Sequence, residues 1–329
     1  MGTPEDTGVF RRILAYVSVE DENMIAAEQA ASLARRYEAR LSLLRVLRDP
    51  SVGVWTRSRD ADEVRRAVED EQRALLEARA HQWRQQGLDV RTDIRWGTPW
   101  LEVTYAVLRH GHDLVVKTAE GALRQRRWLF GSTALHLIRK CPAAIWVVGR
   151  TGGADARRVL AAVDPGDEPT RMALARRVLE VGLLMSGADG DLHAVSAWSA
   201  PHLHFLRSRA VPDEAVTRYV RDARDMAQEG LQRAVVAAGG PLWTGRVHLI
   251  QGEPEQVIPA FVTDHTIDLV VMGSVGRVGL EGFLIGETAE TIVRSVQCSV
   301  LVVKPHGFIS PVRAIDEAPE ALRHSEARA

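Results

Sequence analysis

Residues 267–304 read IDLVVMGSVGRVGLEGFLIGETAETIVRSVQCSVLVVK, and the order of features in this stretch decides the fold. The apolar run 269–272, bounded by Asp268 and Gly273, has the composition of a strand buried on both faces. A glycine-rich segment follows, with Gly273, Gly276, Gly279, Gly282 and Gly286. A helical pattern then runs over 288–296, and a second buried strand over 299–303 is stopped by Pro305. Strand, glycine loop, helix and strand make one βαβ unit. Glycines ahead of a helix let the backbone come close to a ligand, and the helix N-terminus offers unpaired N–H groups to an anion. A phosphate-bearing ligand is therefore expected over Gly273, Gly276 and the helix start at Gly286. The loop carries neither GxxxxGK[ST] nor GxGxxG; its spacing is Gly273-x2-Gly276-x9-Gly286.

Working outward, the chain contains this pattern twice. HDLVVK at 112–117 matches IDLVVM at 267–272, and FGSTALHLIRK at 130–140 matches IGETAETIVRS at 285–295. Asp113 and Asp268, Gly131 and Gly286, and Gly97 and Gly252 are each 155 residues apart, which makes chance alignment unlikely to explain them. Near the start of each copy, RRILAYV at 11–17 matches RRVLAAV at 157–163. Short β-rich runs alternate with longer helical patterns in both copies, the signature of a parallel α/β layer. Strands are expected near 12–18, 40–47, 88–95, 113–117 and 143–149, and again near 157–163, 190–198, 245–250, 268–273 and 299–304. Over 212–238 the periodicity is helical, with Val216, Tyr219, Val220, Ala223, Met226, Ala227, Gly230, Leu231 and Ala234 on one stripe expected to be buried. The expected layout is a first domain over 1–150, a linker at 151–155, a second domain over 156–305 and a polar, loosely attached tail at 306–329. In doubly wound sheets ligands sit outside the carboxyl ends of the strands at a topological switch point, which picks out Asp164 with Pro165, Ala197 with Trp198, and Gly273.

Composition limits the function classes. A net charge of −1 gives no global field toward nucleic acid or a membrane surface. No apolar run approaches the roughly 20 residues that span a bilayer. Two cysteines, Cys141 and Cys298, are too few for a disulfide framework and are expected to pack as small apolar groups. The opening MGTPEDTGVFRRIL carries acidic residues and no apolar core of signal-peptide length, so a cytoplasmic location is expected. The histidines, His202 and His204 included, follow no metal-ligand spacing, and no catalytic constellation is visible.

The loop spacing resembles the nucleotide loop of the universal stress protein (Usp) family, G-x2-G-x9-G-[ST], and the resemblance extends through HDLVVK, HLIRKCPAAIWVV, QGEPEQVIPAF, MGSVGRVG and FLIGETAE in the two halves and reaches into the tail with FISPV. It implies an α/β fold of two tandem flavodoxin-like/Usp units (adenine nucleotide alpha hydrolase-like), each a five-stranded parallel sheet with helices on both faces. It further implies a non-enzymatic stress-response protein that binds ATP, with or without Mg2+, in its second domain. Ala162, Asp164, Ala197, Met272, Gly273, Gly276, Gly286, Glu287 and Thr288 are the binding residues it implies, with Asp164 on the adenosine part. The Asp-Pro-Gly-Asp run at 164–167 is also good turn chemistry with no ligand required.

One departure bears on affinity: Glu287 stands where the family pattern has Ser or Thr. Two unit charges ~4 Å apart interact by about 1 kcal/mol in water and about 4 kcal/mol near a protein surface. Against a triphosphate, repulsion of that size weakens binding by roughly one to three decades, and a divalent cation reverses the sign. Glu287 in a first turn also complements the helix dipole. In the first copy Thr118 stands in place of Gly273 and Ser18 in place of Asp164, while Gly121, Gly131 and Ser132 remain and Arg124, Arg126 and Arg127 make the loop cationic. That copy is expected to stabilise the pair, with Lys117 snorkelling at its strand end. The alternatives to a nucleotide binder are a ligand-free tandem scaffold acting through protein partners and an apolar or lipid binder. A homodimer is also expected.

Overall fold

The computed structural model of the chain describes residues 10–21, 23–48, 61–119, 130–149, 158–208, 211–239, 245–274 and 286–312. Val275, Gly276, Gly279, Gly282, Gly121, Arg124, Arg126, Arg127 and the 151–155 stretch lie outside these residues, as does the side chain of His204. Contacts divide the described chain into two compact units, one of 10–149 together with 309–312 and one of 158–308.

The first unit runs β1 (Arg12–Tyr16), α1 (Ile25–Tyr37), β2 (Arg40–Leu47), α2 (Ala61–Gln85), β3 (Val90–Trp96), α3 (Pro99–His110), β4 (Leu114–Thr118), α4 (Ser132–Lys140) and β5 (Ala144–Val148). Its strands lie in the order β3-β2-β1-β4-β5, every pair parallel. The second unit runs β6 (Arg158–Ala162), α5 (Pro169–Ser186), β7 (Asp191–Trp198), α6 (Leu203–Ser208), α7 (Asp213–Ala238), β8 (Arg246–Gln251), α8 (Pro254–Asp264), β9 (Leu269–Gly273), α9 (Glu287–Ser295) and β10 (Ser299–Val303). The order is again β8-β7-β6-β9-β10, all parallel. The chain leaves the first strand in one direction and later returns to its other side, so β1/β4 and β6/β9 are the switch points. Strands β5 and β10 are buried at every position, as their unbroken apolar runs require.

The repeated aspartate of each DLVV run has a structural task. Asp113 accepts hydrogen bonds from the backbone N–H of Arg11 at 2.7 Å and of Arg12 at 3.1 Å, and Asp268 accepts from the N–H of Arg158 at 3.0 Å. Each carboxylate thus fixes the entry of the unit's first strand beside its fourth.

Two expectations are corrected. The stripe on α7 is buried only at Val216, Gly230, Leu231 and Ala234, while Met226 is 63% exposed. The positions that are not buried, Tyr219, Val220, Ala223, Met226 and Ala227, all lie between Val216 and Gly230, in the middle of the stripe. Periodicity marks a face, but it does not say which part of that face a neighbouring element covers. The stretch after Phe308 is also held: Ser310 donates its hydroxyl to the carbonyl of Lys140 at 2.7 Å and Val312 is buried. These residues return to the first unit, so the loose attachment expected of the tail does not apply to 309–312. Among the described residues no helix is long and apolar enough to cross a membrane.

Candidate functional site

The second unit has a cavity of about 580 Å³ outside the carboxyl ends of its strands, within the size range of small-molecule sites. Each strand end delivers a different part. Strand β6 ends at Ala162 and leads to Asp164; β7 presents Ala197 and then Ser199; β9 ends in Met272 and Gly273. Gly252 follows β8 at φ +147°, a backbone setting that side chains resist, and turns the chain into α8 with Pro254 at its first turn. Leu174, Ala175 and Val178 of α5, Ile258 of α8 and Ile292 of α9 make the apolar walls.

All the binding residues implied by the resemblance line this one cavity except Gly276, which lies outside the described residues. A side chain at 273 would have to displace Leu174: a Cβ built there would stand 2.7 Å from Leu174 Cδ2. Around the loop, the Gly286 N–H donates to the carbonyl of Ser274 at 3.2 Å and the Ser274 N–H to that of Val303 at 3.0 Å. The two described ends of the loop are thus joined at its base.

The polar groups are mostly acidic. Asp164 pairs with Arg171 at 2.6 Å, the arginine reaching back from the first turn of α5. Glu287 opens α9 and is exposed, and Glu253 precedes α8. The Thr288 hydroxyl donates to Glu255 Oε1 at 2.5 Å, tying the first turns of α9 and α8 together. Two helix N-termini therefore face one cavity, each with a carboxylate already near its dipole. Arg171 was missed by sequence reasoning; its signal is a basic residue seven positions after Asp164, in the first turn of a helix that starts at Pro169. Among the described residues no group of three or more His, Cys, Asp or Glu is arranged to hold a metal ion. A magnesium ion would then depend on the phosphates and at most one or two carboxylates, a common arrangement for that ion.

At the same place in the first unit two bulkier side chains are buried, Tyr16 and Lys117. Tyr16 pairs in register with Lys117 as Ala162 does with Met272, so a tyrosine and a lysine replace an alanine and a methionine. Thr118 stands for Gly273, donates its hydroxyl to Asp21 Oδ2 at 2.5 Å and accepts from the Ala26 N–H at 3.1 Å. Lys117 is only 2% exposed and donates to the Thr118 carbonyl at 2.8 Å, so the expectation that it snorkels is corrected. Arg45, also buried, reaches Gln72. Both cysteines are buried, and burial pushes the Cys298 thiol up to about 12, far from a reactive thiolate.

Two doubly wound parallel units in tandem, the second with an open cavity at its switch point, define the class of protein. The model of the universal stress protein family matches residues 10–149 and 156–304, and the chain belongs to that family. It is similar to universal stress protein E of Escherichia coli K12, 24% identical over 316 residues that cover 94% of this chain and 98% of that protein. A universal stress protein E homolog of Haemophilus influenzae is 22% identical over 306 residues, covering 90% of this chain and 98% of its own length. Among solved structures, a universal stress protein of Archaeoglobus fulgidus superimposes with a TM-score of 0.58 at 18% identity, covering 91% of this chain and 99% of the other. A protein of unknown function from Pseudomonas aeruginosa PAO1 gives a TM-score of 0.66 at 21% identity, covering 91% and 94%.

Proposed function

We propose that the chain is a non-enzymatic stress-response protein that binds an adenine nucleotide, ATP in the first place, in its second unit. One observation carries the reading: Ala162, Asp164, Ala197, Met272, Gly273, Gly286, Glu287 and Thr288, drawn from four separate segments, line a single cavity at a switch point. Asp164 would orient the nucleoside, the apolar walls would hold the base, and the loop from Gly273 to Gly286 would cradle the phosphates. Glu287 makes a divalent cation part of the bound species, since the metal separates its carboxylate from the phosphate charge. Binding would change a surface that partners read. The test is equilibrium dialysis of nucleotide-stripped protein against ATP with and without Mg2+. Saturable binding strengthened by Mg2+ is expected, and no retention at millimolar ATP in either arm overturns the reading.

A second reading is a ligand-free scaffold acting through protein partners, and the 2.6 Å pair between Asp164 and Arg171 favours it by occupying the carboxylate from within. Under that reading Gly276→Ala leaves partner capture and stress survival unchanged. Under the first reading it weakens ATP retention.

A further inference from the structure

A second cavity, of about 330 Å³, lies in the first unit beside α3, at the end of the sheet where β1, β2 and β3 begin. Its position is opposite to the carboxyl ends of the strands, where the nucleotide reading places its ligand. Leu14, Leu44 and Ala106 supply an apolar floor. Ser42 Oγ and His112 Nε2, 3.0 Å apart, add a polar wall.

The charges around this cavity are unbalanced. Its two carboxylates are already paired, Asp89 with Arg40 at 3.3 Å and Asp93 with Arg95 at 2.8 Å. The guanidinium of Arg12 donates to the carbonyl of His110 at 3.1 Å, and Arg91 makes no ion pair among the described residues. Burial, ahead of any charge, holds His112 down to about 4 and His110 below its ordinary value, and nearby arginines add to both.

The second unit shows that this space is not forced by the fold. Ser42 lies opposite Leu14 as His193 lies opposite Leu160, and Asp93 lies opposite Leu44 as His248 lies opposite Val195. Ala106 and Phe261 are 155 residues apart, the shift that relates the two copies from the third strand onward. There the place is filled ring on ring: His193 and His248 have centroids 5.2 Å apart, His248 and Phe261 5.0 Å, and Phe261 stacks on His265 at 3.8 Å. An alanine for the phenylalanine and a serine for the histidine leave the first unit hollow.

We propose that this hollow is a binding site for a small amphiphilic anion, with a carboxylate or phosphate monoester head held by Arg91 and Arg12 and a short apolar body against Leu14, Leu44 and Ala106. A guanidinium fork matches either head group with paired N–H donors. The floor rewards chain length, since each buried methylene raises affinity about three- to fourfold. The site is separate from the nucleotide cavity in chain segment and in ligand chemistry, so neither reading depends on the other.

The test is isothermal titration of the full chain with sodium octanoate and octyl phosphate, which separate the two head groups, and with 1-octanol and inorganic phosphate, each lacking one half of the chemistry. At least one of the two amphiphilic anions is expected to saturate a single site, with 1-octanol and inorganic phosphate about tenfold or more weaker. Arg91→Gln should weaken that binding about tenfold, and Ala106→Phe should abolish it by restoring the bulk found in the second unit. Silence from both anions at about 10 mM, equal binding of 1-octanol, or full binding to an Ala106→Phe protein with a cooperative unfolding transition would each overturn the assignment. Should Ala106→Phe not fold, Arg91→Gln decides, because Arg91 is exposed and supports no ion pair among the described residues: unchanged affinity there also overturns it.

Discussion

Leu174 of α5 lies over Gly273 at the end of β9, so close that a Cβ on residue 273 would meet Leu174 Cδ2 at 2.7 Å and Cγ at 3.1 Å. The glycine is needed for this contact and not for an unusual backbone angle. Gly273→Ala must push Leu174 toward the cavity, with an overpacking cost of about 1–2 kcal/mol. Leu174→Ala should remove most of that cost, so the double mutant is less destabilised than the two single effects added together. Urea unfolding of the four proteins checks it; strict additivity would show that the contact carries no strain.

The pair between Asp164 and Arg171 leads to a separation of stability from binding. Asp164 is half exposed and Arg171 about a quarter exposed, so their pair contributes no more than about 1 kcal/mol. Asp164→Ala should therefore shift the unfolding midpoint little, while on the proposed reading, in which Asp164 orients the nucleoside, it weakens ATP retention about tenfold. Arg171→Ala should leave stability equally untouched and release the carboxylate toward the ligand, raising retention. Thermal unfolding beside equilibrium dialysis reads both quantities on the same protein.

Much of the strand layout was legible because buried parallel strands are near-continuous apolar runs, and HDLVVK and IDLVVM state both strand and register in six residues. The convergence of Asp164, Ala197 and Gly273 also followed, since a doubly wound sheet brings these strand ends together wherever its loops go. What filled each site did not follow. Tyr16 and Lys117, buried side by side in register on β1 and β4, put larger side chains at the first unit's switch point, which spacing along the chain does not reveal. The half-buried face of α7 escaped because periodicity does not say which part of a face a neighbouring element covers: the stripe is buried at Val216 and at Gly230, Leu231 and Ala234, and open between them. Nothing in the run SVEDEN at 18–23 sets Asp21 apart from its acidic neighbours, although it is buried and bonded to Thr118.

On the proposed nucleotide reading, Glu287 sets the sign of the response to divalent cations. Replacing it with serine restores a hydroxyl donor at the start of α9 and removes one negative charge from the cavity. Metal-free ATP should then be held about tenfold more tightly. The gain should shrink as salt is raised, because the exposed charge is screened. With saturating Mg2+ the two proteins should converge. Dialysis at low and high ionic strength checks the pattern, and an unchanged metal-free affinity would remove Glu287 from the ligand's surroundings.

His112 gives the fold a pH dependence whose direction can be worked out. Burial lowers its value from 6.5 to about 4 in the folded chain, where the ring bonds Ser42 Oγ at 3.0 Å and the Ala106 carbonyl at 3.3 Å. Between those two values the unfolded chain holds the proton and the folded chain does not, so protons favour unfolding. The contribution is intact above about pH 6.5 and is lost as pH falls toward 4, a loss of no more than about 3 kcal/mol. His112→Gln keeps a hydrogen-bonding side chain without a titrating ring. Its stability should fall less than that of the unaltered protein between pH 7 and pH 4.5, with both measured by urea unfolding at several pH values. Parallel curves over that window would mean that the imidazole is as easily protonated folded as unfolded.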